Sequence, residues 1–143
     1  MSDNFRCGYI AITGLANAGK STLLNKLLGK KISIVSPKAQ TTRNRILGIK
    51  NLENAQMVFI DTPGFINQKT KGMLNSFLMQ NLTEGAKDAD INLLIIDAKK
   101  AERDFSSLEK MAKAFSKKGI KKPDIIVINK VDLIKKKDDL FPL

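Results

Sequence analysis

Three short clusters in this chain carry residue types at spacings that can do chemistry. The first is Gly14-Leu-Ala-Asn-Ala-Gly19-Lys20-Ser21, with the spacing G-x-x-x-x-G-K-[ST]. Glycines at these places allow backbone angles and a closeness of approach that a Cβ would forbid. Loop amides followed by a helix N-terminus aim several N–H dipoles at one anion. Lys20 adds a mobile positive charge for the outer phosphates, and Ser21 offers a hydroxyl to Mg²⁺. Asn17, Ala18, Gly19, Lys20, Ser21 and Thr22 are therefore the candidate phosphate-binding residues, and the ligand they imply is a nucleoside phosphate.

The second cluster is Asp61-Thr-Pro-Gly64. Asp61 follows an apolar run, the place of an acidic residue that holds Mg²⁺ through water. Gly64 can present its N–H to a terminal phosphate without steric cost. The third is Asn129-Lys-Val-Asp132. A carboxylate accepts two hydrogen bonds side by side, which suits the N1–H and N2–H₂ donors of guanine. Adenine would leave Asp132 unpaired, and sites that demand such a partner discriminate by about 10⁴ or more. Asn129 can bond the base edge or steady the phosphate loop, and the stem of Lys130 can lie along base or ribose.

These clusters need elements that bring them together. An apolar run at 8–13 predicts a buried strand before the glycine loop, and 22–28 predicts a helix after it. Residues 30–45 are basic and polar, with Pro37, and predict a long functional loop. Strands are expected at 46–50 and 56–60, joined by the polar turn 51–54 and hence antiparallel. A helix over 72–86 would bury Met73, Leu74, Phe77, Leu78 and Leu82. Then come an apolar strand at 91–96 ending at Asp97, and an amphipathic helix at 106–116 burying Leu108, Met111, Ala112 and Phe115. A last buried strand at 124–128 runs straight into Asn129. Apolar strands alternating with helices predict an α/β fold, a mostly parallel sheet with helices on both faces. In such a sheet ligands sit at the carboxyl ends of the strands, where all three clusters fall.

Composition narrows the class. With 143 residues, 43% hydrophobic and 27% charged, the chain is long enough for one domain with a real core. No apolar run reaches the roughly 18 to 20 residues of a membrane span. The N-terminus lacks a signal-peptide pattern, and one cysteine permits no internal disulfide, so the cytoplasm is expected. Without histidine a zinc site is not expected. The net charge of +11 comes largely from lysine, and either an RNA partner or solvated lysine faces would account for it.

Taken together, Gly14 to Ser21, Asp61 to Gly64 and Asn129 to Asp132 resemble the first, third and fourth motifs of P-loop GTPases of the translation-factor class. The stretch Lys30-Lys-Ile-Ser-Ile-Val-Ser-Pro-Lys-Ala-Gln-Thr-Thr-Arg is similar to the first switch of bacterial Era-type GTPases in particular. Ala16 and Ala18 stand where that family usually has proline and valine. The resemblance implies a Ras-like P-loop GTPase domain that binds GTP and GDP with Mg²⁺ and hydrolyses GTP slowly as a switch. It implies Ser21, Thr42 and Asp61 as metal ligands, with Thr41 the alternative to Thr42, and Lys20, Thr42 and Gly64 as the catalytic set. Residues 30–45 and 62–71 would be the segments that order and disorder.

Phe65 stands where Ras-like switches carry the glutamine that orients the attacking water. Asn17 either helps hold K⁺ beside the phosphates or satisfies loop backbone. Era-type proteins also have a KH domain that binds 16S rRNA and serve small ribosomal subunit assembly. Neither that domain nor the fifth G motif is found in this sequence, so residues 1–143 are expected to form a GTP-binding domain, C-terminally incomplete. Its last strand would then be an exposed edge through which two chains can pair. Two rivals remain: a nucleotide-binding module without turnover, and a related GTPase of tRNA modification or iron transport.

Overall fold

The computed structural model describes residues 4–29, 46–60, 62–65 and 73–135. Thr41, Thr42, Asp61 and both stretches expected to switch, apart from residues 62–65, lie outside the described residues. In chain order the elements are β1 (Arg6–Gly14), α1 (Lys20–Leu28), β2 (Ile46–Asn51), β3 (Ala55–Ile60), α2 (Met73–Asp88), β4 (Ile91–Asp97), α3 (Ala98–Arg103), α4 (Phe105–Lys117) and β5 (Ile125–Asn129). A single turn of 3₁₀ helix, Val131–Leu133, follows.

The sheet runs β2-β3-β1-β4-β5. β1 pairs in parallel with β3 on one side and β4 on the other, and β5 extends the parallel set beside β4. Among the described strands only β2 is antiparallel, against β3, as its short turn requires. The chain thus winds outward from β1 in both directions. Its reversal at β1 places the crevice at the carboxyl end of that strand, where the glycine loop begins.

Alternation along β4 divides the core between the two faces. Leu93 and Ile95 pack with α1 through Leu24, and Ile12 and Phe59 join them. Leu94 and Ile96 face the other way, towards Leu82 and Ala86 of α2, Ala101 of α3, and Leu108, Met111 and Phe115 of α4. That is the period of two expected of a strand covered on both sides. Burying a side chain as completely as Leu24 or Phe59 is worth about 1.5–3 kcal/mol. On the α1 side β2 comes close enough that a Cβ at Gly48 would lie 2.3 Å from Leu28 Cδ1. Lys50 Nζ reaches over and donates to Leu27 O at 2.6 Å, satisfying a carbonyl of the last turn of α1.

Several expectations need correction. Phe77 is 59% exposed, because α2 buries the stripe through Leu82 and Ala86 with Met79 against it. The side chains of Met73 and Leu74 lie outside the described residues. Ala112 is exposed, since α4 turns Leu108, Met111 and Phe115 inward at i, i+3 and i+7. The strand at 124–128, expected as an apolar run in the core and as an exposed edge of the sheet, is half open, as its edge position requires. Among the described residues β5 pairs only with β4, which leaves Ile125 and Ile126 47% and 55% exposed. α3 has no counterpart among the expected helices. No helix among the described residues is long and apolar enough to cross a membrane.

Candidate functional site

The glycine loop leaves β1 at Gly14, where a Cβ would come within 2.5 Å of Ile95 O. Only glycine fits so close to β4. Asn17 then takes a φ of 62° and Gly19 a φ of 98°. Asparagine tolerates this left-handed region better than other residues with a Cβ, which gives Asn17 a conformational reason to be here. Gly19 forms the N-cap of α1 without a side-chain cap, and the first turn carries no acidic residue. The amides at this end of the helix therefore meet no carboxylate from their own first turn, the arrangement that suits an anion. Ser21 and Thr22 are exposed on that first turn. Lys20 lies back along the loop, its Nζ donating to Leu15 O at 3.0 Å and to Gly14 O at 3.4 Å.

Residues 62–65 close one side. Thr62 is buried and its hydroxyl donates to Ile12 O, fastening the segment to β1. Phe65 N–H donates to Gly14 O at 2.9 Å, and Ala16 N–H donates to Phe65 O at 3.0 Å. This short parallel bridge sets Gly64 directly against the loop. A Cβ there would meet Ala16 Cα and Lys20 Nζ, each at 3.0 Å. Phe65 turns its ring away from the crevice into the core, edge-on to Phe115 with centroids 6.2 Å apart.

The other side is closed by the end of β5. Asn129 Nδ2 donates to Ala18 O at 2.9 Å, a contact that ties the end of β5 to the phosphate loop. Lys130 takes a φ of 61° and sends its Nζ to Asn17 O at 2.8 Å and to Asp97 Oδ2 at 2.7 Å. Asp132 is exposed on the 3₁₀ turn that follows. An open groove of about 410 Å³ runs along α1, lined by Thr22, Leu23, Asn25, Lys26 and Asn129.

Asp97 was not among the expected site residues. Burial pushes its pKa up, but hydrogen bonds from Lys130 and from the Lys100 and Lys99 amides, with the Lys130 charge, outweigh that and hold it below the ordinary 3.8. Its position between an apolar strand and Ala98-Lys-Lys-Ala101 is an N-cap signal that sequence alone carries.

Of the residues singled out in the sequence, Asn17 to Thr22, Gly64, Asn129, Lys130 and Asp132 gather at one end of the sheet. Thr42 and Asp61 lie outside the described residues. Among those described there is no group of three or more His, Cys, Asp or Glu side chains placed to hold a metal. The residues present still suit Mg²⁺, which keeps several waters and takes few protein oxygens beside those of a phosphate. Ser21 supplies such an oxygen at the exposed first turn of α1.

A family model described as "50S ribosome-binding GTPase" matches residues 9–130. GTPase Era of Aquifex aeolicus is 45% identical over 139 residues, covering 96% of this chain and 45% of that protein. A crystal structure of Era in complex with MgGDPNP and nucleotides 1506–1542 of 16S ribosomal RNA superposes with a TM-score of 0.74 at 44% identity, covering 97% of this chain and 45% of that one. A point variant of Aquifex aeolicus Era bound to GDP·AlF4⁻ gives a TM-score of 0.71 at 44% identity, with 95% and 44% covered. The chain spans a little under half the length of these relatives. On the match over residues 9–130 the chain belongs to the 50S ribosome-binding GTPase family, and its likeness there is to GTPase Era.

Proposed function

We propose that the chain is a GTP-binding domain that takes GTP and GDP with Mg²⁺ and hydrolyses GTP slowly, as a switch of the Era type. One observation carries this reading. Asn129 and Lys130, in the same four residues as Asp132, bond directly to the Ala18 and Asn17 carbonyls of the glycine loop. Base recognition and phosphate recognition are thereby built into one site. In it the loop amides and Lys20 would hold the β- and γ-phosphates, Gly64 would offer its N–H to the terminal phosphate, and Asp132 would pair with guanine. Ser21, with Thr42 and Asp61, would hold Mg²⁺, which supplies charge neutralisation between the phosphates when bound. Asn17, exposed at the loop crest, is the candidate neighbour of K⁺.

The Era likeness at 44–45% identity favours this family member over GTPases of tRNA modification or iron transport. It also supports 16S rRNA and the small ribosomal subunit as the setting, even though the family description names the large one. The cytoplasm is the proposed compartment, supported by the exposed free thiol of Cys7.

A second reading, a nucleotide-binding module without turnover, is favoured by Phe65, whose ring is committed to the core and offers the attacking water nothing. Titration of the chain with GDP and ADP, then single-turnover GTP hydrolysis with Mg²⁺ in K⁺ or Na⁺, separates the possibilities. GDP should bind at least about 10⁴-fold more tightly than ADP. Phosphate release faster in K⁺ supports the switch. Equal affinity for the two nucleotides would refute the guanine site, and tight GDP binding without phosphate release would favour the module.

A further inference from the structure

Lys130 is held from two directions. Its backbone adopts a left-handed conformation, φ 61°, which costs free energy in a residue with a Cβ and persists only where the surroundings fix it. The fixing contacts are at the far end of the side chain, where Nζ bonds Asn17 O and Asp97 Oδ2. An ammonium has three donors, and the carbonyl alone would leave it free to turn to water. The second anchor is itself rigid. Asp97 ends β4 in register with Asn129 of β5, and its other oxygen, Oδ1, accepts from Lys100 N at 3.0 Å as the cap of α3. Ala98 and Ala101 lock α3 into the core, and the Asp97 side chain is only 12% exposed. Both carboxylate oxygens are thus committed, one to the helix behind and one to the lysine in front.

We propose that Asp97 is a positioning residue that, acting through Lys130, holds the turn carrying Asp132 and the phosphate loop in one frame. Resting on the guanine-nucleotide reading above, this makes nucleotide affinity depend on a carboxylate that acts only through another side chain. The sign of its effect is diagnostic. A negative charge beside an anion-binding loop repels the ligand, so if only its field mattered, neutralising Asp97 would tighten binding. A positioning role demands the opposite. Without the charged anchor the binding-competent arrangement is less populated, and apparent affinity falls by that fraction.

The test uses the whole chain and GDP titration at fixed salt. Asp97→Asn keeps a good N-cap for α3 but removes the charge that holds Lys130. It should weaken GDP binding about tenfold, the scale of a lost charge-assisted hydrogen bond. In a Lys130→Met background the same substitution should change affinity by less than about twofold, because its route of action is gone. Asp97→Ser, which also caps, repeats the measurement. Unchanged or tighter GDP binding in these variants overturns the inference, as does an undiminished loss in the Lys130→Met background. Loss of the folded far-UV spectrum in both variants makes Asp97 a purely structural cap and overturns it too. If the unaltered chain binds no GDP, the guanine-nucleotide reading itself falls, a result distinct from every other.

Discussion

Gly19 and Gly29 separate two costs that are usually confounded. Both have positive φ, 98° and 67°. A Cβ at Gly29 would meet nothing within 4 Å, whereas at Gly19 it would fall 2.3 Å from Asn129 Nδ2. Gly29→Ala should therefore lose only the backbone cost, about 1 kcal/mol, and leave GDP affinity alone. Gly19→Ala bears the same cost and also expels Asn129 from Ala18 O. It should lose about 2–3 kcal/mol, the backbone strain plus one hydrogen bond, and weaken GDP at least about tenfold. Urea unfolding and GDP titration on both variants check this, and equal effects would mean Asn129 does not steady the loop. Asp132, in the guanine reading proposed above, would answer to a different ligand atom. Asp132→Asn exchanges an acceptor for a donor where guanine presents its N2 amine, so GDP should weaken about a hundredfold or more while xanthosine diphosphate gains. Competition between the two nucleotides reads the swap directly, and an unchanged preference would remove Asp132 from the base site.

Between the residues and the fold lie the elements that hold them, and here Phe65 is instructive. Its place in the sequence suggests a missing catalytic side chain, yet its N–H and C=O staple residues 62–65 to the phosphate loop while its ring fills the core. Phe65→Gln should therefore not raise turnover. It would place an amide among Leu15, Leu82 and Phe115, with an expected stability loss of about 3–5 kcal/mol and a slower, not faster, single-turnover rate. Faster hydrolysis would show that the side chain at 65 can reach the crevice. The contrast shows what a sequence carries. The placing of the glycine loop and of residues 129–132 at one end of the sheet was legible, because each follows directly on an apolar run that reads as a strand. The mostly parallel sheet covered on both faces followed from strands too apolar to face water, whereas the strand order came only with the structure. What escaped were features made by contact across the chain: the Phe65 staple, the Thr62 tie to β1, and the Asp97 anchor of Lys130. The exposure of Phe77 and Ala112 escaped for a smaller reason, since a helix turned by one residue keeps its periodicity while changing its buried face. Exposure of β5 follows from its place at the edge of the described sheet, and pairing of two chains through that edge gains no support from the relatives.

At the scale of the whole molecule, the site joins residues 14–22, 62–65, 97 and 129–132, which meet only when the sheet is assembled. Folding and the site should therefore weaken together in acid, and Asp97 gives the sign. Its native pKa lies below the ordinary 3.8: burial alone would raise it, but the Lys130 hydrogen bond, the Lys100 and Lys99 amides and the Lys130 charge prevail. Asp104 is depressed likewise, first by the hydroxyls of Ser106 and then Ser107, but at the surface, where solvent screens its share. For a group depressed in the native state, the unfolded chain takes up the proton first as pH falls. The stability that Asp97 confers is fully present above its unfolded value and is lost as pH falls through its native value. Urea unfolding should accordingly show Asp97's contribution level from neutrality down to about pH 5, then a decline that steepens below about pH 4. Asp97→Asn should be less stable at pH 7 and should lose less on acidification, so the two curves converge in acid. Parallel curves would mean that the carboxylate is not held in its charged form by the lysine it faces.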